Sequence, residues 1–144
     1  LGGTMRLGGQ DVQIGEGTLA QFLFRGQSEV RERFRHRYEV EPALIKPLEA
    51  AGLVFSGRHP VHPIMQILEL PGSVHPYFVG AQFHPELTSR PLNPQPMFMG
   101  LIASGIVQAD PERAEEPALR EWIMPAGSAR VGDPNRHVPS PCTG

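Results

Sequence analysis

The chain is poor in cysteine, in lysine and in long apolar runs, and each shortage closes a class of answer. Cys142 is the single cysteine among 144 residues, which excludes a disulfide scaffold and any cysteine-based zinc site. No run approaches the ~18–20 apolar residues of a membrane span, and the opening residues do not read as a signal peptide. No membrane partner is therefore expected. Lys46 is the only lysine, so twelve of the thirteen basic residues are arginine. The formal net charge is −2, too balanced for a nucleic-acid binder or a polybasic anchor. The planar fork of arginine suits bidentate carboxylate binding, although a genome biased toward arginine codons produces the same composition.

Glycine and proline are abundant by contrast, with 16 of each. Together they stand just under the level at which compact folding becomes doubtful. They are not evenly spread. Beyond Gln108 come Pro111, Pro117, Pro125, Pro134, Pro139 and Pro141 with no sustained apolar period. Residues 108–144 also carry six acids against four arginines. The chain is accordingly divided into a domain over residues 1–107 and a disordered tail over 108–144. In that tail only residues 117–124 have helical character, with Leu119, Trp122 and Ile123 on one side.

Residues 1–107 read as an α/β arrangement. Short extended pieces are expected at 4–7 and 11–14, and a helix over 19–24 capped by Thr18. Leu44, Ile45, Leu48 and Ala51 have helical spacing, with Pro42 near the first turn and Gly52 as the stop. Pro47 inside this helix predicts a kink or a shortened first turn. Three strands follow at 53–56, 64–70 and 77–83. The third is almost continuously apolar, as expected of a strand buried on both faces. A last helix over 97–106 is apolar nearly all round and is expected to be buried.

Three segments have the residue types for chemistry. The first is Gln82-Phe83-His84-Pro85-Glu86, at the carboxyl end of the third strand, where open α/β sheets place ligands. A carboxylate beside an imidazole accepts the proton of one ring nitrogen and fixes the tautomer. The other nitrogen is then free to act as a base toward a nucleophile. A polar turn closing a strand is the plainer explanation, since His-Pro occurs four times here. The second is Arg31-Glu32-Arg33-Phe34-Arg35-His36-Arg37-Tyr38-Glu39-Val40. In extended form it puts Arg31, Arg33, Arg35 and Arg37 on one side and Glu32, Phe34, His36 and Tyr38 on the other. That pattern fits a solvated edge strand or an arginine gripping a substrate carboxylate, with Arg37 expected to be partly buried. The third, Gly2-Gly3-Thr4-Met5-Arg6-Leu7-Gly8, lacks the spacing and the lysine of a phosphate loop. His59 and His62 lie between prolines with no third ligand, so no metal is expected there. Cys142 has no electropositive setting to activate it.

Taken together these segments resemble the carboxyl-terminal part of the CTP synthase family, within its class I glutamine amidotransferase domain, a flavodoxin-like α/β fold. The resemblance rests on four stretches in order. These are Gly2 to Gly8, then Arg35-His36-Arg37-Tyr38-Glu39-Val40, then Gln82 to Glu86, and last Ser89-Arg90-Pro91-Leu92 through Pro94, Pro96 and Phe98 to Gly100-Leu101-Ile102. It covers about residues 1–105. It implies a glutaminase segment with a Cys-His-Glu triad that passes ammonia to an amino-terminal synthase domain, which uses ATP and Mg²⁺ to convert UTP to CTP. GTP is the implied activator, the cytoplasm the implied location, and a homo-oligomer the implied assembly. On the matching positions His84 is the general base, Glu86 its orienting carboxylate and Arg37 a contact to bound glutamine. No cofactor is implied for this segment itself. The family's cysteine lies in a Gly-x-Cys-x-Gly-x-Gln elbow that these residues lack, so the chain is expected to be a fragment, inactive alone. Phe34 stands where the family commonly has histidine, and Glu41 where it commonly has asparagine. A non-catalytic remnant or interaction module, or another class I amidotransferase subunit, is the alternative.

Overall fold

The structure is a computed structural model that describes residues 6–125. Strands β1 (Arg6–Ile14), β2 (Glu29–His36), β3 (Val54–Arg58), β4 (Met65–Glu69) and β5 (Val79–Ala81) form one sheet in the order β2-β1-β3-β4-β5. Every pairing is antiparallel, and β1 with β2 is the longest, in register from Arg6 opposite His36 to Gln13 opposite Glu29. β1 joins residues 6–7 of the first expected piece to the second, 11–14, in one strand. Gly8 adopts φ +82°, a conformation that glycine takes without steric cost, and the ladder with β2 carries on past it.

Helix α1 (Leu19–Leu23) packs on β3 and β4, and α4 (Pro96–Ala109) packs on α1. Between them lie Val12, Ile14, Leu19, Leu23, Phe24, Val30, Phe34, Ile67, Phe83 and Met97, all buried. Each large apolar side chain taken fully from water contributes about 1.5–3 kcal/mol. Phe34 is fully enclosed and meets Phe83 edge to face, with centroids 5.9 Å apart. Thr18 caps α1 as expected, its hydroxyl accepting from the Gln21 amide at 3.1 Å. The buried Glu69 adds a second cap, accepting from the amides of Leu19 at 2.7 Å and Ala20 at 3.0 Å. Two open helical N–H groups and a buried carboxylate thus satisfy each other.

The helix α2 (Pro42–Ala50) ends where Gly52 predicts. Gly52 has φ +98°, and the amides of Gly52 and Leu53 return to the carbonyls of Glu49 and Leu48 at 3.0 and 3.1 Å. This is the Schellman arrangement that glycine permits after a helix. At its start Leu44 N–H bonds the Glu41 carbonyl at 2.8 Å, a tight first turn, and the helix continues through Pro47 to Ala50.

Three expectations are corrected. The apolar run over 77–83 is not a strand buried on both faces. Only Val79–Ala81 pair, at the edge of an antiparallel sheet and half-buried. Pro76 precedes the pairing residues, Tyr77 sends its hydroxyl to the Met97 carbonyl, and Phe83 turns into the core. The apolar residues therefore serve three different contacts. Secondly, α4 buries only Met97, Gly100 and Ala103, while Leu101 and Ile102 are more than half exposed. A helix packed from one side has only one face to bury. Thirdly, the expected tail does not begin at Gln108, which lies inside α4. A 3₁₀ turn over Pro111–Glu115 and a short helix α5 (Pro117–Arg120) follow. Leu119 is buried, and Trp122 and Met124 pack on the core. The Arg25 guanidinium lies 4.3 Å over the Trp122 ring and bonds Glu121 at 3.0 Å. Residues 126–144, Cys142 among them, lie outside the described residues.

Two glycines of α4 should respond oppositely to alanine. A Cβ at Gly100 would stand 2.6 Å from Leu23 Cδ2 and 2.8 Å from Tyr77 Cε2, whereas one at Gly105 meets nothing within 4 Å. Gly105→Ala is expected to stabilise by about 0.5–1 kcal/mol through helix propensity. Gly100→Ala should lose about 1–3 kcal/mol to overpacking, which exceeds that gain. Urea unfolding midpoints of the two variants check the sign of each.

Candidate active site

The site is built where the chain leaves the core at Phe83. That ring is wedged between Phe24 and Phe34, so the next residue starts from a fixed position. The His84 amide then bonds the Arg33 carbonyl of β2 at 2.8 Å. His84 has extended backbone and is the N-cap of α3 (Pro85–Thr88), with Pro85 at the first helical position, where its preset φ suits the turn. Glu86 falls in the first turn. Its side chain bends back, and Oε1 lies 2.7 Å from His84 Nδ1. Two hydrogen bonds hold the Glu86 carboxyl below the usual carboxylate range, first its own backbone N–H and then the His84 ring. The charge of Arg35 acts in the same direction. An ionised Glu86 accepts a proton-bearing Nδ1, which leaves Nε2 as the lone-pair nitrogen. Nε2 makes no hydrogen bond among the described residues.

Behind this pair is a polar layer that the residue pattern alone did not single out. Glu32, on the inward side of β2, is buried. It accepts from the Thr88 hydroxyl at 2.9 Å and from Gln95 Nε2 at 3.2 Å. Burial pushes its carboxyl up, against the lowering effect of those two donors. Gln95 is the N-cap of α4, its Oε1 accepting from the Met97 amide at 2.7 Å. The only advance signal was the inward parity of Glu32 in an alternating strand. His36, next inward but one, packs on Phe34 with centroids 5.4 Å apart. Both of its ring nitrogens are shielded from solvent, with the Gln82 backbone the polar group that faces the ring. Burial lowers its pKa most, with Arg6 next and His84 in the same sense, while Glu39 and the Gln82 backbone oppose. Arg6 pairs with Glu39, and Gln82 Nε2 donates to the Tyr38 carbonyl at 3.3 Å.

The alternation read from the arginine-rich segment holds to the end of β2. Val30, Glu32 and Phe34 point inward, and Arg31, Arg33 and Arg35 outward. It stops at His36. Arg37 sits in the bend beyond the strand and is exposed, not partly buried as expected, and Tyr38 is 72% exposed. The reason is that neither lies in the β1–β2 ladder, which ends at Arg6 opposite His36. Arg31 has an acidic partner, Asp11, at 2.7 Å. Residues 1–5 of the glycine-rich segment lie outside the described residues. The His59 and His62 rings stack 4.8 Å apart, and His59 Nδ1 accepts the amides of Val61 and His62 at 3.1 and 3.2 Å. That nitrogen caps a turn. Among the described residues no group of three or more His, Cys, Asp or Glu is placed to hold a metal ion. No helix among them is long and apolar enough to cross a membrane.

The fold and the pair together define a class. The chain belongs to the class I glutamine amidotransferase family, whose model matches residues 1–104. Within that class its relatives are specific. The CTP synthase of Frankia casuarinae is 50% identical over 117 residues, which cover 81% of this chain and 19% of that protein. The CTP synthase of Nocardioides sp. is 44% identical over 135 residues, 94% of this chain and 22% of that one. Among solved structures, the glutaminase domain of Trypanosoma brucei CTPS with bound acivicin matches with a TM-score of 0.66 and 31% identity. That match covers 72% of this chain and 40% of that chain. The resemblance to CTP synthase is thus borne out, and the chain spans roughly a fifth of the length of these curated relatives.

The shift of His36 gives a pH dependence of definite sign. Its folded pKa lies below 6.5, so the fold prefers the neutral ring. The stability this contributes is complete above the unfolded value of about 6.5 and is lost as pH falls through the folded value. Unfolding free energy should decline on going from about pH 7.5 to about pH 5.5, and His36→Phe should flatten that decline. Denaturant titrations across this window check it; His59, shifted the same way, adds to the slope.

Proposed function

We propose that this chain is the ammonia-releasing segment of a CTP synthase, in which His84 is the general base and Glu86 the carboxylate that orients it. The observation that carries the reading is the 2.7 Å contact between His84 Nδ1 and Glu86 Oε1, in a family whose named activity is glutamine amidotransfer. The nucleophile is a thiol supplied from outside these 144 residues, in the cysteine elbow that the family resemblance implies. His84 Nε2 takes the thiol proton as sulfur attacks the amide carbon of glutamine. The tetrahedral oxyanion collapses, His84 returns the proton to the departing nitrogen, and ammonia leaves behind a thioester. Water activated by the same ring hydrolyses it to glutamate. Glu86 holds the ring and stabilises its charged form. Without that thiol the isolated chain is inactive.

Arg37 is the proposed contact to glutamine. It is exposed just past β2 and has no acidic side chain bonded to it among the described residues, so its fork is open to a carboxylate. The ammonia goes to a synthase domain of the same polypeptide, which converts UTP to CTP. ATP, Mg²⁺ and the activator GTP serve that larger protein, together with a cytoplasmic location and a homo-oligomeric assembly.

The test uses the complete enzyme that carries this segment. His84→Ala should lower glutamine-dependent CTP formation by at least about 10²–10⁴-fold, the usual contribution of a positioned general base. Formation driven by added ammonia should be unchanged. Arg37→Ala should raise the KM for glutamine with little change in the ammonia reaction. Equal loss of both nitrogen sources in His84→Ala would overturn the assignment.

A further inference from the structure

We infer that Glu32 is the positioning residue of the His84–Glu86 pair, acting through the hydroxyl of Thr88. The inference rests on the reading of that pair as base and orienter, and extends it to what holds the two in place. α3 has only four residues. One helical turn does not sustain itself, because fixing its backbone costs more than its few hydrogen bonds return. Something outside α3 must therefore set its position. Two neighbouring residues of β2 do so from opposite ends. The Arg33 carbonyl receives the His84 amide at the start, at 2.8 Å, and the Glu32 carboxylate receives the Thr88 hydroxyl at the end, at 2.9 Å. Glu86 is midway between these anchors, so the direction in which its carboxylate faces His84 follows from both.

The alternatives open to Thr88 sharpen the point. Its hydroxyl has one proton and a second acceptor within reach, the Pro85 carbonyl at 3.2 Å. That carbonyl already receives the Ser89 amide at 2.9 Å. With Glu32 present, the charged acceptor at shorter range takes the proton. Without it, the hydroxyl turns inward on its own helix and α3 loses its tie to β2. The other oxygen of Glu32 serves a different segment, holding Gln95 at the start of α4. The two arms can therefore be cut separately. Thr88→Val removes the one to α3, and Gln95→Ala the one to α4.

The experiment reads the His84 ring directly on the 144-residue chain, by nitrogen-15 correlation spectra of its imidazole at a pH where the ring is neutral. Wild type should show His84 mainly as the Nδ1–H tautomer, the form that donates to Glu86, whereas a ring free in water favours Nε2–H. Glu32→Ala and Thr88→Val should each at least halve the Nδ1–H share, and Thr88→Ser, which keeps the hydroxyl, should restore it. Gln95→Ala should lower the thermal midpoint and leave the tautomer as in wild type. If Glu32→Ala fails to fold, the Thr88→Val and Thr88→Ser pair carries the test alone. An unchanged tautomer in Thr88→Val, or an equal loss in Gln95→Ala, would overturn the inference by showing that Glu32 only stabilises the fold. A wild-type ring already in the Nε2–H form would instead overturn the reading of the pair itself, so the two failures are distinguishable.

Discussion

The carboxylate of Glu32 is an ionisable group that the fold removes from water without an opposite charge beside it. Such a group is tolerated only when its oxygens are bonded, and here the donors are Thr88 and Gln95. Because the three residues come from β2, α3 and the start of α4, satisfying the carboxylate is also what assembles these elements. Glu69 does the same on the other flank, where its two oxygens take the first amides of α1. Two buried acids thus tie helical starts to the sheet. Breaking either leaves unpaired polar groups on both sides, which costs more than the bonds themselves contribute.

This polar scaffold explains why the site is exposed yet defined. His84 and Glu86 have accessible side chains, and exposed ion pairs hold their geometry weakly. Their order comes from below. Phe83 is locked among aromatic rings, the His84 amide is held by β2, and Pro85 restricts the turn between the two ionisable residues. The lone-pair nitrogen is left toward solvent while the backbone carrying it is fixed. The role proposed for His84, a base that meets its nucleophile from another segment, needs that combination.

Local signals were the legible part of the chain. Thr18 as a cap, Gly52 as a helix stop and the alternation along β2 follow from rules that act over three or four residues, and the structure shows each. The short motif around His84 was likewise visible, because imidazole, proline and carboxylate stand within three positions. The errors share a cause. Residues 77–83 and 97–106 were expected to be enclosed because they are apolar, yet β5 lies at a sheet edge and α4 turns Leu101 and Ile102 outward. Apolarity states that a residue gains from burial, not that a partner exists to bury it. After Gln108 the short helix expected within 117–124 is present as α5, while residues 108–116 are largely helical where a tail is expected. The prolines of this segment break long helices but allow short ones, and Leu119 and Trp122 suffice to dock them.

The sequence by itself determined the cap of α1, the stop of α2, the alternation along β2, and that residues 82–86 hold an imidazole and a carboxylate within reach. Those are properties of neighbours along the chain, set by sterics and side-chain chemistry, and the order of its motifs carries the resemblance to the amidotransferase family. Only the tertiary structure decided that Glu32 reaches Thr88 and Gln95, that Glu69 caps α1, and that the His36 ring is shielded near Arg6 and His84. Those contacts join residues roughly 30 to 60 positions apart. No local rule sets such a distance. It follows from the strand order and from the requirement that every buried charge find its donors.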